Sequence, residues 1–182
     1  MYTIDFETYP IVPGSDVSPE PVGVAIKFND EPADYLAWGH PTKNNCSLEA
    51  ADLRLEYIVN STDDIIVMHN AKFDNRILEE WFGIPVPSWR LNDTMIMAYL
   101  NDPRDESLKL KDLVLKYCGI PPDEQTDLKN WILRNVPAAT EKTWGAYICK
   151  APGDLVGKYA CADVDMTYAL YNFFIPIIEE AK

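Results

Sequence analysis

Basic residues are scarce in this 182-residue chain: 16 Lys and Arg stand against 29 Asp and Glu, a formal net charge of −13. A chain of that sign repels a phosphate backbone, which argues against tight nucleic-acid binding through a basic groove. A metal-dependent enzyme escapes the objection, because divalent ions at its site supply positive charge that residue counting omits. Any apolar run long enough to span a bilayer is also missing. The opening residues, Met1-Tyr2-Thr3-Ile4-Asp5, meet an acid at once, unlike a signal peptide. Cys46, Cys118, Cys149 and Cys161 form no CxxC pair and no zinc-like spacing, so they are expected to be free thiols in a reducing cytosol. There are no internal repeats and no low-complexity segments. What remains is an ordinary globular balance, 47% hydrophobic and 25% charged. It leads to the expectation of one soluble, intracellular, monomeric domain over residues 1–182.

Along the chain, Tyr2 to Glu7 reads as a first strand ending in acids. Pro10, Pro13, Gly14, Ser15 and Pro19 make residues 9–20 a loop. Val22 to Phe28 and Tyr35 to Trp38 read as two more strands of an antiparallel meander. Leu48, Ala51, Leu55, Ile58 and Val59 recur at helical spacing. The apolar run Asp64 to His69 suits a buried parallel strand. Helices are predicted over Phe73 to Phe82 with Gly83 as terminator, Asp93 to Leu100, Lys109 to Tyr117, and around Leu128 to Asn135. From Asp154 the chain reads as helical to its end, with a kink before Pro176. The stretch from Gly119 to Pro152, with Pro121, Pro122 and Pro137, is the hardest to read. The fold class is α/β, with a mixed sheet of antiparallel meander plus parallel strands, flanked by helices.

Three acidic pieces carry the chemistry. Asp5 and Glu7 are two apart on a strand, so they share a face, while Phe6 points the other way into the core. Like charges on one face suit a chelated cation, although an acid-X-acid triplet by itself is more often simply solvated. Asp74 closes the segment His69-Asn70-Ala71-Lys72-Phe73-Asp74, at a strand end where open α/β sheets gather ligands. It also sits in a first helical turn, where an acid is favoured by the dipole. Asn70 is expected to bond backbone and shape the turn, and His69 reads as a hydrogen-bonded structural residue in preference to a ligand or base. Tyr159 and Asp163 are four apart on one helix face. Asp165 lies on another side, as an exposed or capping acid. Lys109 and Lys111 form the one close basic pair with a plausible DNA-facing role, but a solvated helix face is the favoured reading for them.

In order, these pieces resemble the three motifs of the proofreading 3′–5′ exonuclease domain of bacterial and phage DNA polymerase I, in the tyrosine subclass of the DEDD superfamily. Asp5-Phe6-Glu7-Thr8 resembles the first, Asn70-Ala71-Lys72-Phe73-Asp74 the second, and Tyr159-Ala160-Cys161-Ala162-Asp163-Val164-Asp165-Met166-Thr167 the third. Asp93-Thr94-Met95 through Asn101 and Leu108 to Gly119 are similar to the family's intervening helices. The likeness is loose over residues 9–60 and 119–152.

The resemblance implies a ribonuclease H-like fold and a phosphodiesterase using two divalent cations, Mg²⁺ or Mn²⁺. It implies that Asp5 bridges the ions, Glu7 and Asp163 complete the first, and Asp74 supports the second through water. Tyr159 would orient the attacking water, since a phenol of pKa ~10 is a poor base at pH 7. Glu7 would hold the terminal 3′-OH, with Ile11 and Asn70 as further substrate contacts. The subclass replaces a catalytic histidine with tyrosine, so neither His40 nor His69 is required for catalysis. The implied substrate is a single-stranded DNA 3′ end, trimmed to nucleoside 5′-monophosphates in replication proofreading or repair. The implied partner is a DNA polymerase domain or subunit, and the setting the cytoplasm of a bacterium or a phage-infected host. An RNA-trimming exoribonuclease would use identical acids. A module that keeps the fold without catalysis, and an acidic protein-binding domain, are rivals of another class.

Overall fold

The computed structural model describes residues 1–121 and 125–180. Five strands form one mixed sheet: β1 (Tyr2–Thr8), β2 (Pro21–Phe28), β3 (Asp34–Ala37), β4 (Ile66–Met68) and β5 (Leu91–Asp93). Their spatial order is β3-β2-β1-β4-β5. β1, β2 and β3 pair antiparallel, whereas β1–β4 and β4–β5 pair parallel. This is the expected meander with parallel strands added, flanked by helices α1 (Leu48–Asn60), α2 (Ala71–Phe82), α3 (Thr94–Asn101), α4 (Leu110–Cys118), α5 (Gln125–Asn135) and α6 (Gly153–Glu180).

Alternation along β1 decides which residues meet which layer. Tyr2, Ile4 and Phe6 enter a core shared with Leu55 and Ile58 of α1 and Ile77 and Leu78 of α2. The intervening Thr3, Asp5 and Glu7 therefore face the opposite layer. Asp5 pairs with Ala25 and Thr3 with Val67, and both partners pack on the α6 side, with Val156, Ala160 and Val164 or with Leu170 and Phe174. Side chains such as Leu55, Leu78 and Leu170 are fully buried, each contributing about 1.5–3 kcal/mol of apolar transfer. Close approach of α6 to the sheet needs Gly157: a Cβ there would stand 3.1 Å from the Tyr35 ring.

Two elements were not anticipated. β5 is a three-residue strand, too short for alternation to register. A 3₁₀ helix spans Trp144–Lys150, within the stretch that the sequence left unread. Asp93, expected inside a helix, instead ends β5 and caps α3, its side chain accepting from Met95 N. α6 continues through Pro176; the expected helical end at Ala181 and Lys182, and Pro122, lie outside the described residues. Arg90 was also overlooked. It is 2% exposed and donates to the carbonyls of Ile58 and Val59 at the end of α1 and of Asp64 before β4.

Candidate active site

β1 delivers Asp5 and Glu7 to the α6 side of the sheet. β4 pairs with β1 only at Tyr2 and Thr3, so the Phe6 N–H finds no strand partner on that edge. Asp74 takes it, its Oδ1 accepting at 2.9 Å. Asp74 itself is 2% exposed, in the first turn of α2. That helix starts where it does because Asn70 adopts a left-handed conformation (φ 62°, ψ 51°), one that Asn tolerates better than most residues. The Asp93 carboxylate then accepts from both Asn70 N (3.0 Å) and Ala71 N (2.8 Å). The Asn70 side chain makes no capping bond. The turn is therefore shaped by its backbone, and its exposed side chain is left facing outward.

α6 supplies Tyr159 and Asp163 from one face. Asp163 is buried, and its Oδ1 has no hydrogen-bond partner among the described residues. Asp5 and Glu7 feel the charges of the other acids. Burial, then the charges of Asp74, Glu7 and Asp163, raise Asp5 well above the usual carboxylate range. Burial and Asp163 do the same to Glu7. Burial also raises Asp163 and pushes Asp74 up to about 7, against the lowering effect of the Phe6 N–H. Asp5 and Glu7 are thus raised by burial and by neighbouring acids, and Lys111 only partly offsets this. Burial, helped by Asp163, Glu7 and Asp5, drives the Tyr159 phenol well above its ordinary value. It stays neutral, and it can orient a molecule but not accept a proton from it.

Oxygen donors of this number and charge fit a hard divalent cation such as Mg²⁺ or Mn²⁺, and the buried Asp163 Oδ1, which meets only a cationic side chain, fits a ligand role. As placed, however, no three acidic, His or Cys side chains among the described residues meet in a metal-holding cluster. Ligation requires the carboxylates to turn toward one another.

Beside the acids opens a cleft of about 420 Å³, lined by Glu7, Tyr9, Ile11, Phe73, Gly145 and Ala146 among others. Ile11 is 67% exposed there, free to touch a ligand. Gly145 and Ala146 come from the 3₁₀ helix, which gives that unread stretch a place at the site. The Lys150 ammonium, 5.7 Å from the Tyr9 ring centroid, brings positive charge to the same side. Trp144 meets the Tyr159 ring edge-on at 6.2 Å.

Lys111 corrects the expectation of a solvated helix face. Its side chain is only 15% exposed, and Nζ lies 3.0 Å from Asp163 Oδ1 and 4.1 Å from the Tyr159 ring centroid. Lys109, by contrast, is exposed. Nothing in the pattern Leu108-Lys109-Leu110-Lys111 distinguishes the two lysines; only the packing of α4 on α6 does. Asp165 pairs with Lys27 at 2.9 Å and is half-exposed, away from the acids. Both histidines are tied by hydrogen bonds to neighbouring segments. His69 Nε2 donates to the Leu108 carbonyl (3.0 Å) and Nδ1 meets Thr94 Oγ1 (2.8 Å), which ties the β4 end to the segment before α4. His40 bridges the Tyr35 hydroxyl (2.7 Å) and the Ala151 carbonyl (3.1 Å).

Residues 4–179 match the profile of a family described as 3′–5′ exonuclease. The chain is 30% identical over 163 residues to the DNA polymerase of Escherichia phage T5, covering 87% of this chain and 18% of that polymerase. The chain thus spans less than a fifth of that relative's length. Among solved structures, Brucella melitensis NrnC with bound Mg²⁺ superposes with a TM-score of 0.63 at 19% identity, covering 99% of this chain and 74% of the other. Escherichia coli RNase D, an exoribonuclease involved in structured RNA processing, superposes with a TM-score of 0.55 at 19% identity, covering 98% and 38%. These likenesses establish the ribonuclease H-like fold of the mixed sheet.

Proposed function

Because this chain belongs to the 3′–5′ exonuclease family, we propose that it hydrolyses single-stranded DNA from the 3′ end with Asp5, Glu7, Asp74, Asp163 and Tyr159 as its catalytic set. The observation that carries this reading is that β1, α2 and α6 bring Asp5, Glu7, Asp74 and Asp163 within electrostatic reach of one another, beside a cleft of about 420 Å³ that Glu7 helps to line. DNA is the preferred substrate because the sequence relative is a DNA polymerase.

Asp5, Glu7 and Asp163 would hold divalent cations directly. Asp74, with one oxygen engaged by Phe6 N–H, would support them through its other oxygen. When bound, such cations supply Lewis-acid activation of water and neutralise charge at the scissile phosphate. The protein's own part is positioning. Tyr159, neutral and braced by Trp144, offers a hydroxyl donor or acceptor to the attacking water. Glu7 faces the cleft, where its carboxylate can accept from a terminal 3′-OH. Tyr9, Ile11 and Phe73 would offer apolar walls to the last base and sugar, and the exposed Asn70 side chain would be a further contact to the strand. With a net charge of −13, the chain attracts a strand weakly, so digestion is expected to be of low processivity. A duplex end must first melt, at about 1–2 kcal/mol per base-pair step, so single strands should be cut faster than blunt duplex. A polymerase domain or subunit would be the partner that delivers frayed ends.

The test uses end-labelled DNA and RNA oligonucleotides of one sequence, with Mg²⁺, Mn²⁺ or chelator. Metal-dependent laddering of DNA from the 3′ end is expected. Faster cleavage of RNA would replace the DNA reading with an exoribonuclease, since the 2′-OH then contributes to recognition. No cleavage of either would overturn the catalytic assignment.

A further inference from the structure

Lys111 is a lysine where a solvated lysine was expected, and its environment is unusual for the chain. Among the described ion pairs, Lys111–Asp163 alone has both side chains largely buried, at 15% and 12% exposed. The others each keep at least one partner more than a quarter exposed, as in Lys27–Asp165 or Lys129–Glu141. Burying two charges is costly and seldom improves stability over apolar packing, so the pair calls for a reason. Its neighbours provide one. Four carboxylates crowd the site, and the Lys111 charge counteracts the elevation of three of them, Asp163, Glu7 and Asp5.

We propose that Lys111 is the place-holding cation of the carboxylate site: in metal-free protein its ammonium balances the clustered acids at Asp163, and it withdraws when a divalent cation takes that oxygen. Three features support exchange over a permanent bridge. The ammonium meets Asp163 at Oδ1, 3.0 Å away, the same carboxylate oxygen that a divalent cation would take. Two cations on one poorly solvated carboxylate repel strongly, which disfavours simultaneous occupancy. Finally, the lysine rides on a flexible four-carbon stem in the first turn of α4, with exposed Lys109 close by. A rotamer change suffices to carry the ammonium outward, with no movement of the helix.

The inference rests on the divalent-cation reading above, and the two are separable by experiment. The whole chain is labelled by reductive methylation in chelator and again with saturating Mn²⁺, with the modification of each lysine read by mass spectrometry. Lys111 is expected to label more slowly than Lys109 in chelator and several-fold faster with Mn²⁺, while Lys109 and Lys116 stay unchanged. A melting-temperature rise with Mn²⁺ establishes that the ion binds. If it binds and Lys111 reactivity does not change, the exchange is overturned and the metal reading stands; if no ion binds, both fall. Variants give a second readout. Calorimetry should find Lys111→Met binding Mn²⁺ about tenfold more tightly, the size of an ordinary two-site coupling. Its melting temperature in chelator should fall, and Lys111→Arg should behave as the parent. If Lys111→Met is unfolded in chelator, Mn²⁺ titration should refold it. Weaker Mn²⁺ binding by Lys111→Met, or no refolding, would make the lysine a fixed brace for Asp163 and overturn the proposal.

Discussion

The backbone N–H of Phe6 donates to Asp74 Oδ1 at 2.9 Å, and this bond joins the second acidic segment to the strand bearing the first. Asp74→Asn retains an acceptor there, whereas Asp74→Ala leaves a buried N–H unpaired, at a cost of about 1–3 kcal/mol. Both variants should lose nuclease activity. In chelator, Asp74→Asn should melt at or above the parent and Asp74→Ala clearly below Asp74→Asn. Equal melting of the two variants would remove the bond from the account of how Asp74 is placed.

Asp5→Ala and Asp163→Ala are each expected to lower cleavage by roughly 10²–10³-fold or more, the scale seen when one strong transition-state contact is removed, without unfolding the chain. Near-normal turnover by either purified, folded variant would show that the carboxylate is not part of the catalytic set.

Tyr159→Phe keeps the ring that lies beneath Lys111 and against Trp144 and deletes only the hydroxyl. Cleavage should slow by about ten- to a thousand-fold and remain faster than in Asp5→Ala. Because the phenol stays neutral, the ratio of parent to variant rates should be flat from pH 7 to 9. A ratio that climbs with pH would instead point to a tyrosinate acting as base.

The raised carboxylates make stability depend on pH. Folded Asp74 titrates at about 7, and Asp5 and Glu7 are also raised well above the usual range, while unfolded carboxylates titrate near ~4. Between those values the folded state binds more protons, so in chelator this contribution to stability falls as pH rises from about 4 through 7. His40, lowered to about 4, and His69, also lowered, act oppositely below ~6.5, so the readout is the parent compared with Asp74→Asn. The parent should lose more melting temperature between pH 5.5 and 8 than the variant does. Saturating Mn²⁺ should recover the loss at pH 8 by binding only the folded cluster. Parallel pH curves, or no recovery with Mn²⁺, would contradict a charged cluster awaiting counter-ions.

What the sequence made legible were features with a period or a stop. Alternation marked β1, helical spacing marked α1, and Gly83 marked the end of α2, where it adopts φ 67°. The placement of Asp5 and Glu7 on one face followed from strand geometry, and Tyr159 with Asp163 from helix pitch. The hidden features depend on contacts between distant segments. Lys111 acquires its place only when α4 packs on α6. β5 is defined by its pairing with β4 rather than by its own three residues. The 3₁₀ helix that brings Gly145 and Ala146 to the cleft has no periodicity of its own to read. Arg90 is an arginine in the interior because free carbonyls at the end of α1 await a donor.

Asp93 is a single carboxylate holding the first N–H groups of two helices, Asn70 and Ala71 for α2 and Met95 for α3. It joins the helix bearing Asp74 to its neighbour α3, yet it lines no part of the cleft beside the acids. Damage there would reach the chemistry as a misaligned Asp74 in a protein whose active-site residues are all intact. A survey that ranks positions by nearness to the substrate would pass over it.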